Sequence, residues 1–288
     1  MTGTRNRRIR WWSGIAGVLV AIGPVAGHAG AAVEKLDGYS YVTKSFELAP
    51  GKPKTFKAPC PDRNRVLGGG HYNNGQYGDV IGAHSYPYDD RDRGRKPDDG
   101  WAAQLRGFTT AYTVSMYAIC AKVVPEYERI TRSVAPFSTS SEYGLSCGFA
   151  GLDAISGGTS GPLSAREVSS YRGGSPGGSQ GWFGSVANHS AQEKDISVLN
   201  VCAGLDTTLV IGSDNAAAET QELVSAQCPE AAPRIVGGGH RLFQPAFNTA
   251  VAASRPSSNR DGWEVWVDNY NPFDQILIQA HAICAPAL

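Results

Sequence analysis

One unit is written three times along this chain, and that repetition limits the fold more than any other feature. The first copy opens at Cys60-Pro61, runs through Val66-Leu67-Gly68-Gly69-Gly70-His71, Ser85-Tyr86-Pro87 and Gly100-Trp101, and closes at Tyr117-Ala118-Ile119-Cys120-Ala121. The third repeats it as Cys228-Pro229, Ile235-Val236-Gly237-Gly238-Gly239-His240, Ser254-Arg255-Pro256, Gly262-Trp263 and His281-Ala282-Ile283-Cys284-Ala285. The second is worn: Cys147-Gly148, Ile155-Ser156-Gly157-Gly158, Ser169-Ser170, Gly181-Trp182 and Asn200-Val201-Cys202-Ala203. From tryptophan to closing cysteine the spacing is 19, 20 and 21 residues, and from opening cysteine to tryptophan 41, 35 and 35. Chance does not produce that agreement.

The period sorts the cysteines. Six cysteines allow fifteen pairings, and two per copy select Cys60–Cys120, Cys147–Cys202 and Cys228–Cys284. In the chain-entropy account each bridge stabilises by roughly 4 kcal/mol. Neither a CxxC nor an HxxxH spacing is present, so a zinc site is not expected.

Counting back in twos from each closing cysteine gives a mostly apolar face: Cys120, Ala118, Met116, Val114; Cys202, Asn200, Val198, Ile196; Cys284, Ala282, Ala280, Ile278. That is the period of a half-buried strand. Trp101, Ala103 and Leu105 share one face of the tryptophan strand, as do Trp263, Val265 and Val267. No window holds a helical period. The stretch 216–226 leans towards helix but coincides with strand positions in the other copies. The expected fold is all-β, as antiparallel repeats of about 80 residues spanning 41–124, 125–204 and 205–288, after a tail at 32–40. Two architectures satisfy this: a pseudo-threefold β-prism with three sheets around one core, or three small sandwiches in a row. Short linkers favour the first and copy length the second.

The succession Cys-Pro, Val-Leu-Gly-Gly-Gly, Gly-Trp and Tyr-Ala-Ile-Cys-Ala resembles a repeat of secreted actinobacterial proteins, over nearly the whole of residues 32–288. The resemblance implies compartment and origin, not an activity. The threefold arrangement also resembles the β-prism of vitelline membrane outer layer proteins and of some plant lectins. The likeness is architectural; the lectins' sugar-binding motifs have no residue-by-residue counterpart here.

Residues 1–31 read as a secretory signal. Arg5, Arg7, Arg8 and Arg10 precede an apolar run, Ile15 to Val25, and small residues follow at Ala29 and Ala31. Arg7-Arg8 hints at twin-arginine export, but Arg10 stands where an apolar residue is wanted, and disulfides form in oxidising compartments. With the signal removed, 22 Lys+Arg face 26 Asp+Glu, a formal net of −4. Such a chain has no electrostatic pull towards nucleic acid, and no membrane insertion is expected after cleavage.

The glycine triplets are not followed by Lys-Ser/Thr, which excludes a phosphate loop; they read as bulges or close backbone contacts. His71 and His240 read as half-exposed strand histidines, with Thr159 at the matching place in the second copy. Trp101, Trp182 and Trp263 read as core. Trp266 sits on the polar face of its strand beside Asn269, Tyr270 and Asn271, and an aromatic among amides is chemistry that suits a sugar or protein contact. The segment 84–100 is an insertion of the first copy; its acids fail the calcium-loop spacing and are matched by bases, while Tyr86 and Tyr88 suit recognition. The ligand-binding candidates are therefore Trp266, Asn269, Tyr270, Tyr86 and Tyr88. Arg234-Ile-Val-Gly-Gly resembles a trypsin activation site but is repeat grammar, and Asn188-His189-Ser190 fits a glycosylation sequon.

What the copies share is cysteine, glycine and tryptophan, which are fold residues. No nucleophile, base and oxyanion set recurs. The expectation is a secreted, non-enzymatic binding module, without cofactor or metal, contacting a glycan or a secreted or cell-surface protein. The alternatives are a structural or adaptor component of the cell surface, and a hydrolase using His84 or His240 with a nearby carboxylate.

Overall fold

The structure is a computed structural model that describes residues 36–74, 78–90, 96, 98–148, 151–174, 180–243 and 248–287. The expected signal and its cleavage positions lie outside the described residues. The first copy supplies β1 (Ser40–Leu48), β2 (Pro53–Pro59), β3 (Arg65–Asn73), β4 (Val80–Tyr88), β5 (Gly100–Gly107) and β6 (Tyr112–Ala121). The second supplies β7 (Glu126–Val134), β8 (Ser138–Thr139), β9 (Tyr143–Ser146), β10 (Asp153–Ser160), β11 (Ala165–Gly174), β12 (Gln180–Asn188) and β13 (Lys194–Ala203). The third supplies β14 (Thr208–Ala216), β15 (Thr220–Gln227), β16 (Arg234–Leu242), β17 (Thr249–Pro256), β18 (Gly262–Asn269) and β19 (Ile276–Ala285).

These strands form three sheets, and each sheet takes strands from two copies. Sheet A runs β1-β6-β3-β17-β18-β15, sheet B β2-β5-β4-β10-β13-β7, and sheet C β14-β19-β16-β11-β12-β8, with β9 on β12. Every copy is thus split between two sheets and every sheet is half one copy and half the next. That exchange is the three-sheet arrangement around a shared core, and the tandem sandwiches are not what the strands build. One cluster of buried residues draws on all three sheets. The period-2 faces read from the sequence point into it: Val114, Met116, Ala118 and Cys120 are buried, as are Ile278, Ala280, Ala282 and Cys284.

The glycine triplets stand where β3, β10 and β16 meet. A Cβ on Gly68 would lie 2.7 Å from the Val236 carbonyl oxygen and 2.9 Å from Gly237 Cα. The next glycine of each copy lies under a tryptophan ring: Gly69 under Trp101, Gly157 under Trp182, Gly238 under Trp263. The third abuts the neighbouring copy, with Cβ positions 1.9, 1.8 and 1.9 Å from the carbonyl oxygens of Ser254, Ser85 and Ser170 for Gly70, Gly158 and Gly239. Those serines also accept the indole N–H of the buried tryptophans: Trp101 to Ser85 at 2.8 Å, Trp182 to Ser170 at 2.9 Å, Trp263 to Ser254 at 3.0 Å. A buried indole N–H without a partner would cost about 1–3 kcal/mol, so the serine is part of the packing unit. Bulges at Val66/Gly68, Ala154/Ser156 and Ile235/Gly237 set the register. The triplets are therefore close backbone contacts, as read from the sequence.

Beyond the glycines the copies differ in volume but compensate. His71 packs over Gly82, where a Cβ would lie 2.8 Å from its Nε2. In the second copy the small Thr159 and the large Glu167 exchange these sizes. Thr159 donates its backbone N–H (2.9 Å) and its hydroxyl (2.7 Å) to one oxygen of Glu167, and the other oxygen stands 3.8 Å from His240 Nε2. His84 Nδ1 meets the same threonine hydroxyl at 2.9 Å. Burial pushes Glu167 up to about 8, so it is protonated at neutral pH. Burial also pushes His71 and His84 down to about 4 and His240 to about 3, keeping them neutral. The half-exposed reading of His71 and His240 is thus corrected: they are 3% and 1% exposed, because β3 and β16 turn this face into the core.

The disulfides join Cys60 to Cys120, Cys147 to Cys202 and Cys228 to Cys284, as the repeat predicts, with Cα–Cα distances of 5.8, 5.9 and 5.6 Å. Three bridges are compatible with an oxidising, extracellular compartment. Among the described residues no helix is long and apolar enough to cross a membrane.

Candidate functional site

Each sheet has a seam where two copies join through a short pairing: His71 opposite Ser254 in sheet A, Thr159 opposite Ser85 in sheet B, His240 opposite Ser170 in sheet C. The residues just beyond these pairs are Tyr72 and Arg255, Ser160 and Tyr86, Arg241 and Tyr171. A third position comes from the strand beside the glycines: Tyr117 opposite Gly70, Leu199 opposite Gly158, His281 opposite Gly239. The three seams are one design with three sets of side chains.

Two seams are filled by their own residues. In sheet A the Arg255 guanidinium lies 4.5 Å over the Tyr72 ring, pairs with Glu264 at 2.8 Å and donates to the Tyr117 hydroxyl at 3.2 Å. In sheet C the Arg241 guanidinium lies 4.8 Å over Tyr171 and 4.4 Å over Phe243, and makes two 3.0 Å bonds to Glu142. The break between β8 and β9, in the stretch that is one continuous strand in the other copies, brings Glu142 to that place.

Sheet B is different. Ser160 stands where the others carry Tyr72 or Arg241, and Leu199 where they carry Tyr117 or His281. The seam is open as a groove of about 430 Å³, within the roughly 300–1,000 Å³ of small-ligand sites. Tyr86, Tyr88, Lys57, Asp90, Tyr127, Glu128 and Arg129 complete its walls with Ser160 and Leu199. Lys57 pairs with Asp90 and lies 4.8 Å over the Tyr88 ring. Glu128 accepts from the Gly148 N–H at 2.6 Å. Arg129 gives its Nε–H to Ser197 at 2.9 Å. Burial and the Asp90 carboxylate raise Tyr86 above its ordinary range while Arg129 opposes them, so its hydroxyl stays protonated.

The five sequence candidates fall on two sheets. Tyr86 and Tyr88 line the groove together, but on strand β4 rather than in an insertion loop. Tyr88 is buried beneath Lys57, and the half-buried rings of the lining are Tyr86 and Tyr127, the latter with its hydroxyl spent on the Val66 carbonyl at 2.9 Å. Trp266 lies in sheet A beside Tyr72, ring centroids 6.5 Å apart, over a hollow of about 20 Å³, room for about one water. Tyr270 gives its hydroxyl to Asp268 at 2.9 Å. Asn269 is fully buried and spends its amide on the carbonyls of Ala216, Ala217 and Asp274. It is a turn cap, a correction to its reading as a ligand contact. Asn188 does the same for Val134, Ala135 and Gln192, so the sequon asparagine offers no free amide.

Lys57, Tyr127, Glu128, Arg129, Ser160 and Leu199 escaped the sequence reading. Their signal is a departure from the other copies, visible only once the register aligns Ser160 with Tyr72 and Arg241. The His240–Glu167 pair, the one place among the described residues where a histidine named for hydrolysis meets a carboxylate, is closed to a substrate at 1% and 8% exposure. Comparison with protein-family models and with curated proteins finds no match for the chain.

Proposed function

We propose that this protein is an extracellular, non-enzymatic binding module that recognises a glycan in the groove of sheet B. The observation that carries the reading is the open seam: two equivalent seams are packed shut by arginine and aromatic side chains, and the third leaves a walled space with Tyr86 at its edge. Tyrosine, carboxylates and a guanidinium around one hollow combine a flat apolar face with hydroxyl-binding groups. Three disulfides and the buried glycine–tryptophan–serine units support a rigid scaffold, on which such a site is held without ordering costs at binding.

The test is a panel of glycans and cell-wall polymers offered to the purified, oxidised protein, with Ser160→Tyr and Trp266→Ala alongside. Saturable binding that Ser160→Tyr abolishes and Trp266→Ala keeps supports the groove. Binding lost in Trp266→Ala and retained in Ser160→Tyr moves the site to sheet A. A blank from folded protein sinks the glycan reading and favours a structural or adaptor role at the cell surface.

A further inference from the structure

We infer that the ligand of this groove carries a carboxylate, as a uronic acid does within an oligosaccharide, and that Arg129 on β7 receives it. The inference rests on the glycan reading above and names the chemical class. It follows from which hydrogen-bonding groups in the groove are already spent. Asp90 is held by Lys57, and one oxygen of Glu128 is taken by the Gly148 N–H. Asp89 also has a partner. Each of these three carboxylates is thus already engaged within the protein.

The donors are not. Arg129 is exposed on its edge strand and spends only Nε–H, on the Ser197 hydroxyl. Among the described residues it has no carboxylate partner, in contrast to the seam arginines Arg241 and Arg255. Its remaining guanidinium N–H groups form the flat fork that matches a carboxylate. The hydroxyls of Tyr86 and Ser160 line the same groove and have no hydrogen-bond partner among the described residues. The guanidinium fork and these two hydroxyls can all donate, so a ligand that accepts is complementary to them. A carboxylate accepts most strongly, and only a charged acceptor neutralises the unpaired guanidinium. In the filled seams a glutamate plays that part, Glu264 for Arg255 and Glu142 for Arg241; in the open seam the ligand would supply it.

The test uses the oxidised protein in low-salt buffer, titrated calorimetrically with oligogalacturonate, alginate and hyaluronan oligosaccharides. Methyl-esterified oligogalacturonate and a neutral malto-oligosaccharide serve as controls. The expected result is saturable binding to at least one acidic oligosaccharide. About ten-fold or greater weakening should follow from Arg129→Gln and, where that ligand is oligogalacturonate, from esterification. Arg129→Lys should recover part of the loss, and added salt should weaken binding. Circular dichroism and the melting temperature check that Arg129→Gln stays folded. Equal binding of acid and ester, or indifference to Arg129→Gln, overturns the carboxylate assignment. The groove reading then still stands if Ser160→Tyr removes the binding. Binding of neutral glycans alone does the same. No binding to any glycan overturns both.

Discussion

The axis and the seams of this molecule are built from the same three copies, yet they treat the repetition in opposite ways. At the axis the copies agree in function. A glycine lies under each buried tryptophan, another against each neighbouring carbonyl, and a serine accepts each indole N–H. At the seams the equivalent positions hold Tyr72 and Arg255, Ser160 and Tyr86, Arg241 and Tyr171: two seams stack an arginine on a tyrosine with the two residues exchanged between strands, and the third has no arginine there. Positions that must repeat for the sheets to close keep their residues, while positions facing outward are released from that demand. The departures are then where specific recognition has room to arise, and the worn second copy supplies the largest one, Ser160.

The strongest way to break the comparison is to damage the axis. Trp182→Ala should cost about 3–5 kcal/mol, because a fully buried indole leaves a cavity that a strand bearing on Gly157 is poorly placed to fill. Trp101→Ala and Trp263→Ala should fall in the same range, measured by urea unfolding of the oxidised proteins. A loss below about 1 kcal/mol in any one copy would show that copy to be dispensable to the shared core.

Gly70→Ala is the next largest effect. Its Cβ would sit 1.9 Å from the Ser254 carbonyl oxygen, a backbone atom that cannot swing aside. Overpacking of this kind costs about 3 kcal/mol. Gly174→Ala is the control, since nothing lies within 4 Å of its Cβ position. Equal stability of the two variants would remove the close-contact account of the triplets.

These axis residues were legible in the sequence because each is required three times at nearly fixed spacing. So were the disulfides and the strand faces, since a period of two is a property of any strand with one buried side. Sheet composition was not legible, because pairing β3 with β17 or β4 with β10 joins residues remote in sequence, and either architecture satisfies the local pattern. Asn269 misled because an amide beside a tryptophan and a tyrosine looks like a sugar contact. It stands six residues after Trp263, as Asn188 stands six after Trp182, and that recurrence is the mark of a cap. Ser160 was invisible for the opposite reason: it recurs nowhere.

The buried polar residues beside the axis give a pH profile with a definite sign. Unfolded, Glu167 ionises near 4.5, but folded it holds its proton to about 8. The folded state therefore binds more protons across that interval, and stability through this group falls as pH rises towards 8. His71, His84, His240 and His281 act in the other direction. Their folded values are lowered from 6.5 to about 4, 4, 3 and 4, so stability through them falls as pH drops below 6.5. In the overlap the four histidines outweigh one glutamate. The optimum should lie near pH 7, where the two balance, and the Glu167 limb, about 2 kcal/mol between pH 6.5 and 8, should largely cancel the rise from the histidines over that interval. Glu167→Gln keeps an acceptor for Thr159 and cannot ionise, so urea unfolding between pH 6.5 and 8 should lose that limb and show the histidine rise uncancelled. A variant without that rise would assign the limb to another group.

The smallest effect tests whether one position decides if a seam is open. Tyr72→Ser places in sheet A the residue that sheet B carries at Ser160. It removes the Arg255 contact over the ring and the aromatic neighbour of Trp266, at a cost of about 1 kcal/mol. The other tryptophans among the described residues are at most 1% exposed. Trp266 is thus the one whose environment changes, and acrylamide quenching of its fluorescence should rise as the 20 Å³ hollow beside it widens. Binding of a groove ligand should not appear in sheet A, because Arg255 remains tied to Glu264 and Tyr117 stands where sheet B has Leu199. Unchanged quenching would mean that Arg255 or Trp266 moves into the space, and that an open seam needs the small residue and the leucine together.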